Sequence, residues 1–169
     1  MRRKSFDDMR CSVAQTLEVV GEWWTFLVVR DLFLGVHRFD DIQRRLGISR
    51  NVLTERLDHL VTHGVVERRP YQERPLRHEY VLTDKGRSLW PVLSALREWG
   101  DQWAAPDGPP VEVVHRDCGG HPRVEHVCPV CGEVVRLGEV RAVAGPGGDP
   151  DEPILPAPRP EPADEVPVA

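Results

Sequence analysis

The chain has 169 residues, 40% hydrophobic and 29% charged, with a formal net charge of -5, the make-up of a soluble globular protein with one core and room for a small appendage. Residues 1–105 hold 17 Lys and Arg against 15 Asp and Glu, a net of +2, whereas residues 106–169 hold 5 against 12, a net of -7; the acidity belongs to the tail and does not exclude an anionic partner for the front. The most apolar stretch, 19–36, is interrupted by Glu22, Arg30 and Asp31, which excludes a membrane span, and the basic start MRRKSF has no apolar segment behind it, so a cytoplasmic protein without a secretory signal is expected.

In chain order, residues 12–20 read as a helix with Val13, Leu17 and Val20 inward, broken at Gly21. A second helix, 22–34, stops at Gly35. Its Trp23, Trp24, Phe26, Leu27, Val28, Val29, Leu32 and Phe33 cover nearly the whole circumference, as in a core or a subunit interface. Phe39, Ile42 and Leu46 mark a third helix closed by Gly47, and Ser49 offers the N-cap of a fourth. In that fourth helix Leu53, Leu57, Leu60 and Val61 form one apolar stripe, with Asn51, Thr54, Glu55 and Asp58 opposite. Gly64 ends it.

Residues 65–69 and 78–83 read as two strands, joined by an irregular tip, PYQERPLR. Thr83 or Asp84 caps a last helix to about Trp103, carrying Leu89, Val92, Leu93, Leu96 and Trp99. A Pro/Gly hinge at 104–110 leads into a segment holding three of the four cysteines. The remainder, 144–169, has eight of the 16 prolines and too little apolar surface to offset ordering, so it is expected to be disordered. The fold expected is mainly α with a small β-hairpin wing, a winged helix-turn-helix over 1–105, followed by a small Cys-rich ribbon at 111–143 and the disordered tail.

Two short helices joined through Gly47 and Ile48, then a basic hairpin, are the parts of a DNA reader. The fourth helix would enter the major groove. Arg50 can reach guanine O6/N7, Asn51 suits adenine and Glu55 can accept from cytosine N4, with Ser49 and Thr54 on the same side. Arg68, Arg69, Arg74 and Arg77 on the hairpin suit phosphates or a minor groove, and Arg44 and Arg45 add charge beside the turn. Trp90, Trp99 and Trp103 exceed the needs of a small core, which points to a homodimer whose two heads lie about 34 Å apart on one side of the duplex. No paired carboxylates, nucleophile–base set or phosphate-binding Gly loop marks an enzyme. The competing reading from another class is a protein–protein interaction module built on a winged helix and zinc ribbon; steep loss of affinity with salt would separate the two.

The run CSVAQTLEVVGEWWTFLVVRDLFLGVHRFDDIQRRLGISRNVLTERLDHLVTHGVVERRPY, followed by RHEYVLTDKGRSLWPVL, resembles the HxlR-type transcriptional regulators, a MarR-like winged-helix group. The motifs are an N-terminal Cys, a GxW before an apolar helix, RF-x2-I-x3-L, LT-x-RL-x2-L and Y-x-LT-x2-G. GEWW stands where the family usually has GGKW or GDKW. The resemblance implies a homodimer, with outer helices at the subunit interface, that binds palindromic operators, more often as a repressor. It also implies a role for Cys11, because in some such regulators the cysteine at that place senses oxidants or electrophiles. By itself Cys11 reads equally as a small apolar core residue.

In HRDCGGHPRVEHVCPVCGE, His115-x2-Cys118 and Cys128-x2-Cys131 make two knuckles. Three thiolates and one imidazole suit tetrahedral Zn(II) in a structural role, and a segment this short gains from a metal in place of a core. His121 or His126 could replace His115. A redox-active CxxC and a metal-free tail are the alternatives.

Overall fold

The computed structural model describes residues 5, 6 and 8–147; most of the tail expected to be disordered lies outside the described residues. Helices α1 (Ser12–Val20), α2 (Trp23–Phe33), α3 (Phe39–Leu46) and α4 (Arg50–Thr62) are followed by strands β1 (Val66–Glu73) and β2 (Leu76–Leu82), then by α5 (Asp84–Arg87) and α6 (Trp90–Trp103). The front of the chain is thus the winged helix-turn-helix that its patterning implies. No helix among the described residues is long and apolar enough to cross a membrane.

One core joins these elements. Val20, Val28, Val29, Leu32, Ile42, Leu53, Leu57, Leu60, Val65, Val66 and Leu82 come together from α1 to β2. The α4 stripe is its centre: Leu53, Leu57 and Leu60 are fully buried, each contributing about 1.5–3 kcal/mol. The α3–α4 turn follows from two local devices. Gly47 sits in the left-handed region at φ 65, where its N–H bonds Gln43 O at 2.9 Å, and the Ser49 hydroxyl accepts from Val52 N at 3.3 Å.

The wing is longer than the sequence suggests. Pairing continues through Pro70↔His78 to Glu73↔Leu76, and a slip between Pro70 and Gln72 leaves Tyr71 as a bulge. A two-stranded sheet has only edge strands, so Pro70 loses no ladder bond it needed. Residue 38 adds a bridge to Glu79 on the outer side of β2, next to reciprocal bonds between His37 and Tyr80. At the wing base, a Cβ on Gly86 would come 2.2 Å from Val65 O; only a bare backbone passes there.

Three expectations need correction. The last helix is two helices, α5 and α6, because Pro91 lacks the N–H that a continuous helix would use and instead starts α6. Val13 and Leu17, expected inward, are exposed, and Ala14 and Val20 take the buried side of α1. Only Ser94 of α6 is buried, so Val92, Leu96 and Trp99 face outward as well. Both helices turn their wider apolar faces away from the chain's own core.

Residues 111–143 form reverse turns, an isolated bridge between Val127 and Val134, and a 3-10 turn at Leu137–Glu139 instead of a paired ribbon. No side chain in that range is buried; a segment without a core has nothing to hold long strands together. It rests against α6, where the Glu98 carboxylate accepts from Val124 N at 3.1 and 3.2 Å.

Candidate nucleic-acid interface

Helix α4 carries the reading face. Ser49, Arg50, Asn51, Thr54, Glu55 and Asp58 are all exposed, on the side away from the Leu53–Leu57–Leu60 stripe. Arg44 and Arg45 end α3 beside the turn, and Arg68, Arg69, Arg74 and Arg77 line the hairpin. An open cleft of about 440 Å³ between α3, the start of α4 and the wing is lined by Arg38, Arg44, Arg50, Arg77, Tyr71 and Asp40, among others. The fold therefore brings residues 30 or more positions apart to one concave, arginine-rich surface.

Most of these arginines are already engaged. Arg50 Nη1 lies 2.8 Å from Asp40 Oδ1, with its guanidinium 4.6 Å over the Phe39 ring. Arg44 pairs with Asp41 at 3.0 Å, and Arg45 Nε reaches the fully buried carboxylate of Asp31 at 3.2 Å. Arg68 pairs with Asp58 while lying over Tyr80, and Arg69 Nε bonds Glu67 at 2.8 Å. Glu55, the acceptor suggested for cytosine, is bonded by Arg56. Among the described residues, Arg74 and Arg77 make no ion pair.

The pairs differ in strength. Arg44–Asp41 and Arg50–Asp40 are exposed on both sides, worth at most about 1 kcal/mol each and easily exchanged for a phosphate or base. Asp31 is another matter. Its buried carboxylate is held by Arg30 at 2.8 Å and by Arg45, so releasing Arg45 to DNA would strip a buried charge of one of its two partners. Arg45 is thus first a tie between α2 and α3. The Arg68–Asp58 pair likewise ties the wing to α4.

Sequence reasoning passed over Arg38 and Tyr71. The Arg38 guanidinium stacks 4.7 Å over the Tyr71 ring, which the bulge turns toward α3. The signal for Arg38 was present in the RF that opens α3; nothing local announces its meeting with Tyr71.

Cys11 is exposed at the N-cap of α1, with no side-chain capping bond. The other thiols are distant in sequence. His115 Nδ1 stands 3.2 Å from Cys118 Sγ. Backbone N–H groups of Cys131 and then Val130, with the Cys131 thiol, hold the Cys128 thiol below its ordinary pKa. The structure brings each pair together, but among the described residues no three His, Cys, Asp or Glu side chains gather as a metal-holding group. Of the alternative ligands, His121 faces Arg97 and Asp101 across a surface cleft, and His126 gives its carbonyl to Val135 N.

Comparison with known proteins gives concordant matches. The model of a family described as HxlR-like helix-turn-helix matches residues 19–108. An uncharacterised HTH-type transcriptional regulator of Mycobacterium tuberculosis is 44% identical over 137 residues, which is 80% of this chain and 87% of that protein. The solved structure of PA1607, described as a candidate transcription factor, superposes with a TM-score of 0.76 at 40% identity, covering 84% of this chain and 100% of that one. The redox regulator HypR in its reduced form matches with a TM-score of 0.51 at 32% identity, over 54% of this chain and 92% of its own.

Proposed function

The chain belongs to the HxlR-like helix-turn-helix family, DNA-binding regulators of transcription, and from that membership we propose that it acts as a homodimeric repressor reading a palindromic operator. The exposed polar face of α4 carries the reading, with Arg50, Asn51 and Glu55 at base edges. Arg74 and Arg77 would take phosphates, since among the described residues neither is committed to a carboxylate. The dimer is supported by the large apolar side chains left exposed on α1, the start of α2 and α6, among them Leu17, Trp23, Leu96 and Trp99; a monomer rarely leaves so much apolar surface in water.

The regulator would answer a small molecule or an oxidant. Cys11 supports the second, as an exposed thiol beside the apolar face of α1: adding a polar or bulky group there would disturb the same face that the dimer would use. Residues 111–143 we read as a separate appendage on α6 with its own thiol and imidazole chemistry.

Recovery of bound genomic fragments defines the operator, and a salt titration on that operator tests the reading. Affinity should fall steeply with salt, and replacing Arg74 and Arg77 together by Ala should flatten the log–log slope by about 2, close to one unit per phosphate contact. Unchanged operator affinity on replacing Arg50, Arg74 and Arg77 together would overturn it, and would favour a surface that meets protein.

A further inference from the structure

Between residues 115 and 133 the backbone makes the same turn twice. In the first, His115 N donates to Gly120 O at 2.8 Å and Gly119 N to His115 O at 2.8 Å; in the second, Cys128 N donates to Glu133 O at 2.9 Å and Gly132 N to Cys128 O at 2.8 Å. Each closes on a glycine in the left-handed region, Gly119 at φ 71 and Gly132 at φ 75. Position by position, His115 corresponds to Cys128, Cys118 to Cys131 and Gly119 to Gly132. Each turn sets two soft or borderline donors side by side, as His115 Nδ1 and Cys118 Sγ at 3.2 Å illustrate.

We propose that the two turns are the halves of one tetrahedral Zn(II) site, with His115, Cys118, Cys128 and Cys131 as its ligands. Two turns of this kind supply four donors, the number that closes a zinc tetrahedron and leaves no position for substrate or water. The repeat also selects the histidine. His115 occupies the place that Cys128 holds in the second turn, whereas His121 and His126 fall in the connector and have no counterpart. Three thiols lose their protons on binding and the imidazole binds neutral, so zinc dianion chemistry leaves a complex of net charge -1.

The halves stand apart in this structure, and nothing in the chain prevents their closing. The nine residues between Cys118 and Cys128 reach roughly 30 Å when extended. They are held to α6 at Val124 by the Glu98 carboxylate. The need for a metal is evident in the burial: no side chain of 111–143 is buried, so hydrophobic packing does not order the segment, and metal binding supplies what packing does not. The metal would thereby fasten the segment beside α6.

The test uses the full, reduced chain, grown with ample zinc and freed of any histidine tag. Elemental analysis should find one zinc per chain, and Co(II) added to metal-free protein should give the thiolate charge-transfer and d–d bands of a tetrahedral site. Cys118→Ser and Cys128→Ser should each abolish the stoichiometric zinc, and His115→Ala should abolish or weaken it, while His121→Ala and His126→Ala should keep it. Trypsin should cut within 111–143 faster once zinc is removed. The wild-type Co(II) spectrum decides the matter even if a variant folds poorly. Absence of zinc together with failure to bind Co(II) overturns the site, as does a Cys128–Cys131 disulfide in the zinc-grown protein. Loss of zinc from His121→Ala or His126→Ala with retention by His115→Ala overturns the ligand set.

Discussion

Removing the carboxylate at position 40 should tighten DNA binding, and the geometry says by how much. Arg50 and Asp40 are 2.8 Å apart, with side chains 65% and 71% exposed. An ion pair that open to water is worth at most about 1 kcal/mol. The guanidinium also lies 4.6 Å over Phe39, a contact worth about 0.5–1 kcal/mol at an exposed site. A bidentate contact to guanine contributes about 1–3 kcal/mol of discrimination. The base therefore wins Arg50 from Asp40, and Phe39 can continue to support the guanidinium plane. Asp40→Asn removes the competitor and takes one negative charge from a face that meets phosphates. Operator affinity should rise by up to about fivefold, the equivalent of about 1 kcal/mol. Arg50→Ala should lose about 5- to 150-fold, concentrated at one base pair. Fluorescence anisotropy at fixed salt, on the operator and its single-base-pair variants, measures both. If Asp40→Asn instead weakened binding, and did so only when Arg50 was present, the carboxylate would be aligning Arg50 and the competition argument would be refuted.

Two further outcomes follow from surfaces described above. Leu96→Glu with Trp99→Glu should convert the protein to monomers in sedimentation velocity without unfolding it, since neither side chain is buried; a dimer surviving both changes would place the interface elsewhere. A mild oxidant or quinone should release the protein from its operator, and Cys11→Ser should resist release in a gel-shift assay. Release persisting in Cys11→Ser would move the sensing to the thiols of 111–143.

What could be read from the chain alone was local. Gly47, Ser49 and the Leu53–Leu57–Leu60 stripe act within one turn or one helix face, so their spacing already encodes the turn, the cap and the buried side of α4. The repeat of two donor-x2-donor-Gly turns at 115–119 and 128–132 is legible for the same reason. The boundaries of the wing were less so. Pro70 signals the end of a strand, but the structure tolerates it because a two-stranded sheet has no central strand, a property of the assembled sheet and not of the residue.

The charge arrangement was decided only by the tertiary structure. Arg50 and Asp40, Arg68 and Asp58, and Arg45 and Asp31 are 10, 10 and 14 positions apart, and their meeting depends on how α3, α4 and the wing pack on α2. By sequence all three arginines were equal candidates for DNA. Packing separates them: Arg50 is held weakly at an open surface, while Arg45 is tied to a carboxylate with no access to water. The outward turn of α1 and α6 was hidden in the same way, because helical periodicity specifies that an apolar face exists and only the packed chain specifies what, if anything, covers it.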